Sequence, residues 1–106
     1  MDFKNIAVKS HNLTNNQIVT VMEIKTVGDK KEKILAYFFS SYGDTICKID
    51  VMNNIIYVHK CWKRSVTTAK WFNKFLSDVL NEKINFEEQK EIEVKSNIFT
   101  VIMLDE

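Results

Sequence analysis

Only one segment of this 106-residue chain repeats its apolar residues at helical spacing, whereas most of the remaining segments carry the signals of β-strands. Residues 68–83 predict a helix whose buried stripe is Ala69, Phe72, Phe75, Leu76, Val79 and Leu80. The opposite side of this helix is polar, with Lys70, Lys74, Ser77 and Asn81. Ser65 or Thr67 is the expected N-cap, because a hydroxyl there can accept a hydrogen bond from a backbone amide without a helical partner. A single helix of this kind has to bury its stripe against a sheet.

Seven segments have the residue types and alternation of strands: 3–9, 18–27, 33–40, 45–52, 55–61, 91–95 and 98–104. Gly28-Asp29 predicts a turn between the second and third segments. The third segment is apolar on both sides, which places it inside the sheet. We therefore predict an α+β fold in which residues 1–106 form one domain. Its antiparallel sheet of six or seven strands carries one main helix, about 68–83, on one face.

Asn53-Asn54 predicts a two-residue hairpin turn, because asparagine tolerates the left-handed conformation. The register that follows places Met52 opposite Ile55 and Ile49 opposite Val58. One face of the hairpin is then apolar: Cys47, Ile49, Val51, Ile56 and Val58. The other face is half-solvated: Lys48, Asp50, Tyr57 and His59. A shift of one residue would put the charged side chains in the core.

Composition excludes several classes of protein. Fifteen basic and fourteen acidic residues leave a net charge of +1, which favours no class of partner. No apolar run approaches the roughly 18 residues of a membrane span, and the first five residues lack the apolar core of a signal peptide. Cys47 and Cys61 fall on opposite faces in the predicted register, which indicates reduced thiols. We expect a cytosolic protein with no membrane partner.

The histidines and cysteines form no recognisable catalytic motif. His11 lies in a polar loop and His59 on a half-exposed strand face, and no nucleophile elbow or glycine-rich loop accompanies them. A zinc site from His59, Cys61, Cys47 and His11 is the alternative, but its spacing matches no standard ligand pattern. We therefore predict a protein that is not an enzyme and has no cofactor or metal.

Charge is unevenly distributed along the chain. Residues 51–77 contain five cations and no acid, whereas residues 78–106 contain eight acids and three lysines. Aromatic residues lie among the cations, and the candidate partner-binding residues are Tyr57, Lys60, Trp62, Lys63, Arg64, Lys70, Trp71 and Lys74. Such a surface could bind a protein. It could also bind single-stranded nucleic acid, with the aromatic rings stacked on bases and the cations along the phosphate backbone. The alternative is that the lysines are a solvated helix ridge and Trp62 belongs to the core. Trp71 falls at the edge of the helical stripe.

The segment 87–93 is acidic, with Glu87, Glu88, Glu91 and Glu93. An acidic strip of this kind can imitate a phosphate backbone. More often it protects the edge of a sheet against aggregation, which is the interpretation we favour.

Two short stretches resemble a family of small phage proteins, most of them uncharacterised. Ser65-Val66-Thr67-Thr68-Ala69-Lys70-Trp71-Phe72-Asn73 is similar to the family's Ser-x-Thr-Thr-x-Lys/Arg-His-x-Asn motif at a strand-to-helix junction. Ser41-Tyr42-Gly43-Asp44-Thr45-Ile46-Cys47 is similar to its Ser-Tyr-x-Thr-x-Ile-Ala hairpin start. The chain departs from the pattern at Asp44, Cys47 and Trp71, where threonine, alanine and histidine are usual. The resemblance covers about residues 38–80 and implies no settled activity.

Together with the absence of a catalytic motif, this resemblance favours a phage-encoded protein that acts in the host cytoplasm. The first hypothesis is that it binds and modulates or inhibits a host protein machine, such as a CRISPR effector or another defence factor. The alternative is a nucleic-acid-binding accessory protein that uses the basic and aromatic residues. A virion or assembly component is a third hypothesis. Exposed apolar residues on the final strand would also allow a homodimer.

Overall fold

A computed structural model of the chain describes residues 4–26 and 32–105, so the turn predicted at Gly28-Asp29 lies outside the described residues. Seven strands form one sheet: β1 Lys4–Asn12, β2 Gln17–Thr26, β3 Glu32–Ser41, β4 Asp44–Asp50, β5 Ile55–His59, β6 Glu91–Val94 and β7 Asn97–Leu104. A short 3-10 helix, Lys60–Lys63, precedes the helix α1, Val66–Leu80. The prediction of an α+β fold with one main helix is confirmed.

The strand order in the sheet is β1-β2-β3-β4-β5-β7-β6. Each neighbouring pair is antiparallel except β5 and β7, which run parallel. The prediction of a purely antiparallel sheet is therefore wrong at this one pair. After β5 the chain forms α1 and then β6, which lies at the edge of the sheet. It returns as β7, which pairs with the edge of β5 that β4 does not occupy and so lies between β5 and β6. A hydrogen bond of 2.9 Å from the Thr100 amide to the Asn54 carbonyl joins the two strands near the start of β5.

The N-terminus of α1 is capped by Ser65, whose hydroxyl accepts a hydrogen bond of 3.0 Å from the Thr68 amide. Of the two predicted caps, Ser65 is therefore the correct one. The helix ends at Leu80 rather than at Lys83, because Asn81 adopts the left-handed conformation with φ of 54° and closes the last turn. The predicted stripe faces the sheet, with Phe72, Phe75, Leu76 and Leu80 buried and Ala69 and Val79 half-buried.

The β4–β5 hairpin has a register different from the predicted one. Ile49 lies opposite Ile56 and Cys47 opposite Val58, so the connection is Val51–Asn54 rather than two asparagines. The Asp50 side chain accepts hydrogen bonds from the amide and the side chain of Asn53, and these bonds lower its pKa. The shift equals two residues, so each side chain stays on its predicted face.

The core lies between α1 and the centre of the sheet. The Phe39 ring centroid is 6.2 Å from that of Phe72 and 5.4 Å from that of Phe75. Around this cluster the sheet contributes the buried side chains Val19, Cys47, Ile49, Ile56 and Val58. Burial raises the pKa of the Cys47 thiol, which keeps it protonated, and Cys47 and Cys61 are both free.

Candidate functional site

The candidate partner-binding residues lie on several sides of the molecule. Tyr57 points to the sheet face opposite α1, because its neighbours Ile56 and Val58 are the buried ones. Lys60 and Lys63 belong to the short 3-10 helix that follows β5. The exposed residues Lys70 and Lys74 belong to α1, on the other side of the sheet. The predicted partner-binding residues therefore do not form one continuous surface.

The acidic end of the chain folds back onto the basic segment. Lys60 Nζ lies 2.9 Å from Asp105 Oδ1, and Lys63 Nζ lies 3.7 Å from Glu88 Oε1. The hydrogen bond to Asp105 raises the pKa of Lys60. The two charge blocks that are separate along the sequence thus lie beside one another and cancel locally in space.

Two further cations of the basic segment also have carboxylate partners. Arg64 Nη1 donates to Asp44 Oδ2 at 2.5 Å, which raises the pKa of the guanidinium. Lys74 Nζ lies 3.5 Å from Asp78 Oδ2, one helical turn further along α1. Within the part of the chain that the structure describes, Lys70 is the one candidate cation without a carboxylate partner. These pairs reduce the positive potential that nucleic-acid binding would need.

Trp62 is a core residue, so a water-facing role for its ring is wrong. Only 7% of its surface is exposed. Its ring centroid lies 5.7 Å from that of Phe72 and 5.0 Å from that of Phe86 in an edge-to-face arrangement. Its indole Nε1 donates a hydrogen bond of 3.0 Å to Glu88 Oε1. The apolar part of the indole thus packs against aromatic rings and its N–H has a hydrogen-bond acceptor, so that Trp62 covers one end of the core.

Trp71 lies at the edge of the helical stripe, as the sequence predicts. It is half-buried and packs against the core cluster. Lys70 Nζ lies 5.6 Å from the centroid of its ring, within the range of a cation–π contact. Within the described residues, this pair joins the candidate cation that has no carboxylate partner to a half-buried indole at the surface.

The two motif stretches meet in space at the start of α1. Ser41 Oγ lies 3.0 Å from Thr68 Oγ1, and both side chains are fully buried. Gln17 Nε2 donates to Ser41 Oγ at 3.1 Å, and Ser65 Oγ donates to Thr68 Oγ1 at 3.0 Å. Arg64 also donates to the Ser41 carbonyl at 2.5 Å. The motif residues therefore fasten the β3–β4 turn to the helix, which is a structural role.

The sequence analysis did not single out Gln17, a member of this buried network. Its only local signal is the neighbouring polar run, whose members are mostly exposed. The downstream motif residue Asn73 also has a structural role, because its Oδ1 accepts a hydrogen bond of 2.7 Å from the Phe86 amide. This bond holds the segment after α1 against the helix, and with it the Phe86 ring beside Trp62.

The residues considered for zinc do not converge. His11 lines a cavity of about 190 Å³ beside α1, together with Tyr37 and Asp78. His59 and Cys61 line a different cavity, of about 430 Å³, together with Arg64 and Asp44, and Cys47 is buried in the core. Among residues 4–26 and 32–105, no three His, Cys, Asp or Glu side chains come close enough to hold a metal ion.

The sheet surface opposite α1 is covered by no helix or strand of residues 4–26 and 32–105, and we call it the open face. A cross-strand row on it runs from Thr20 through Phe38, Lys48 and Tyr57 to Ile102. Its apolar side chains are exposed or half-buried, and they include Val8, Met22, Phe38, Tyr57, Ile102 and Leu104. Lys48 Nζ lies 5.8 Å from the ring centroids of both Phe38 and Tyr57.

Comparison with known families places the chain in one of them. Residues 1–95 match the Family of unknown function (DUF8033). The chain belongs to this family. The match to DUF8033 spans β1 to β6 and ends before β7, the strand that lies between β5 and β6. No curated protein and no solved structure matches the chain. In the part of this DUF8033 protein that the structure describes, no helix has the length and apolar character needed to span a membrane.

Proposed function

We propose that this protein acts by binding another protein through the open face, without chemistry of its own. The specific form of the proposal is a phage-encoded protein that binds and modulates or inhibits a host protein machine in the host cytoplasm. A CRISPR effector or another defence factor is the expected class of target. Of the residues first considered for partner contact, Tyr57 lies on the open face, and it forms the centre of the proposed site.

The observation that carries the proposal is the exposure of large apolar side chains on one side of a sheet. Ile102 and Leu104 are 37% and 40% exposed in β7, and they continue the row that contains Tyr57. Contiguous apolar surface of this kind on a small protein is typical of an interaction site. Because the apolar residues alternate with core residues along the same strands, the exposure belongs to a whole face and not to single positions.

The size of the open face suits a specific complex. Seven strands at about 4.8 Å spacing and about 25 Å of strand length give a surface of roughly 700 Å². A standard protein–protein interface buries about 800 Å² on each partner. The face is therefore large enough to bind one folded partner, and its area is far greater than that of a single exposed side chain.

The charge on the open face defines the partner that would fit. Lys48 and Asp50 are neighbours in the same pleat, and their charges have opposite sign. Lys48 lies over two aromatic rings, and Asp50 binds Asn53. Glu91 and Glu93 of β6 lie on the same face, because their register places them beside Thr100 and Ile98. A partner surface that is apolar and neutral or weakly basic therefore complements this face better than a phosphate backbone does.

Site-specific photocrosslinking in the host tests the proposal. A photoreactive amino acid at Ile102 is expected to capture one discrete protein, whereas the same group at Val66, which is 88% exposed at the start of α1, is expected to capture none. The captured protein is then purified and its affinity for the chain is measured. Ile102→Lys should weaken binding at least about tenfold, because it places a charge in an apolar contact. Val66→Lys should change binding by less than about twofold.

Two results would contradict the proposal. One is unchanged affinity of the captured protein for the Ile102→Lys variant. The other is tight binding of labelled single-stranded DNA whose affinity falls steeply with salt and is lost in Lys70→Ala. That second result would favour the nucleic-acid alternative, with Lys70 and Trp71 as its site.

A further inference from the structure

The two edges of the sheet are built differently. The β6 edge is four residues long and presents the exposed side chains of Glu91 and Glu93. Shortness and charge are the usual ways of preventing an edge strand from pairing with another chain. The β1 edge is nine residues long, and its pairing with β2 is continuous, without a bulge. It contains no proline and no glycine.

No strand among residues 4–26 and 32–105 pairs with the outer side of β1. Every second residue of an edge strand directs its N–H and C=O groups outward, so β1 offers a regular row of donors and acceptors. Two exposed apolar side chains accompany this row, because Ile6 and Val8 are 65% and 59% exposed. A strand with these properties is a template for pairing with another strand.

The sequence of β1 is complementary to itself in the antiparallel direction. In a pairing centred on Ala7, Ile6 of one copy lies opposite Val8 of the other, and the reverse contact follows by symmetry. The four apolar side chains then form one cluster on the open face. Lys9 of one copy does not face Lys9 of the other, so the pairing opposes no like charges at this position.

We propose that two copies of this chain pair through their β1 edges, antiparallel and with the two-fold axis at Ala7. The two sheets then form one sheet of fourteen strands, and about six new backbone hydrogen bonds join the copies. The two open faces become one continuous face. This pairing does not depend on the function proposed above, because it uses the outer edge of β1 and not the centre of the open face.

Sedimentation velocity over a concentration series, with paired variants, tests the proposal. The full chain is expected to form a dimer, and Ile6→Lys/Val8→Lys should raise its dissociation constant at least about tenfold, because four ammonium groups would then crowd the axis. The control Ile98→Lys/Ile102→Lys places two charges on the same face in β7, and it should change the constant by less than about twofold. Circular dichroism and urea unfolding are used to check that both variants are folded.

A disulfide tests the register. In a Cys61→Ser background, Ala7→Cys should form a covalent dimer on mild oxidation, because residues at the axis bring their Cα atoms within disulfide range. Ser10→Cys should remain monomeric, because the two copies of residue 10 would be about 20 Å apart.

Three results would overturn the pairing. They are a monomer at every concentration, equal loss of the dimer in the β1 and β7 lysine variants, and equal crosslinking at positions 7 and 10. Equal loss in both lysine variants would indicate stacking of two open faces. If Ile98→Lys/Ile102→Lys no longer binds the captured protein but still forms the dimer, partner binding through the open face and pairing through β1 are separate properties.

Discussion

Phe38 and Phe39 are consecutive residues of β3, and their rings lie on opposite faces of the sheet in different environments. Phe39 is fully buried beneath α1, and its ring is stacked on that of Phe75. Phe38 lies half-buried on the open face beneath the Lys48 ammonium. The apolar side chains beneath α1 thus stabilise the fold by burial, whereas those on the open face stay partly in contact with water and contribute less to stability. Two matched pairs of substitutions and one single substitution can break or sharpen this comparison.

The largest difference is expected for the two phenylalanines. Phe39→Ala should lower the free energy of unfolding by about 3–5 kcal/mol, because it leaves a cavity between Phe72 and Phe75. Phe38→Ala should lower it by less, about 1–2 kcal/mol, because its ring is only partly buried and the space left by the ring opens to solvent. Urea unfolding of both variants measures the difference. Equal losses would mean that the open face is covered in solution.

The second comparison concerns two hydroxyl pairs of similar length. Ser41 and Thr68 are 3.0 Å apart in the buried network, and Ser10 and Thr20 are 2.9 Å apart at the exposed end of β1 and β2. Thr68→Val should cost about 1–3 kcal/mol of unfolding free energy, because it leaves the buried hydroxyl of Ser41 with one partner fewer.

The control is Thr20→Val, which should change the unfolding free energy by less than about 0.5 kcal/mol, since water replaces the lost partner. Both variants are measured by the same urea titration. A Thr68→Val protein as stable as the unsubstituted chain would remove the structural role that we assign to the motif.

The smallest effect is expected for Lys48, the cation at the centre of the open face. Lys48→Met keeps the aliphatic stem over Phe38 and Tyr57 and removes the charge. The unfolding free energy should change by less than about 1 kcal/mol, which is the size of an exposed cation–π contact. Light scattering should detect stronger self-association, because the charge no longer interrupts the apolar row. A large loss of stability would show that the ammonium belongs to the fold.

Local patterns along the chain predicted the elements well. The spacing of Phe72, Phe75 and Leu76 identified the helix and its buried side, and alternation assigned Lys48 and Tyr57 to the outer face of the hairpin. The assignment of faces survived the error in register because the register moved by an even number of residues. The helix end was placed three residues late, since Asn81 closes the helix through a backbone conformation that apolar periodicity does not reveal.

The candidate site was much harder to predict. Trp62 and Trp71 lie in the same basic stretch, yet one closes the core and the other remains at its edge. The basic segment looked like a binding surface because its acidic partners are distant along the chain. Lys60 and its partner Asp105 are joined only by the return of β7 to the sheet.

The sequence by itself determined the one main helix, the segments that form strands and which side of each is apolar, because periodicity and capping act between residues a few positions apart. It did not reveal the 3-10 helix Lys60–Lys63, since the strand predicted over 55–61 ends at His59. The tertiary structure decided the strand order, the parallel pairing of β5 with β7, the cancellation of the two charge blocks and the identity of the uncovered face. These depend on contacts between segments that are distant along the chain, and such contacts form only when the whole sheet is assembled. The two surfaces that we propose for binding, the open face and the β1 edge, belong to this second group.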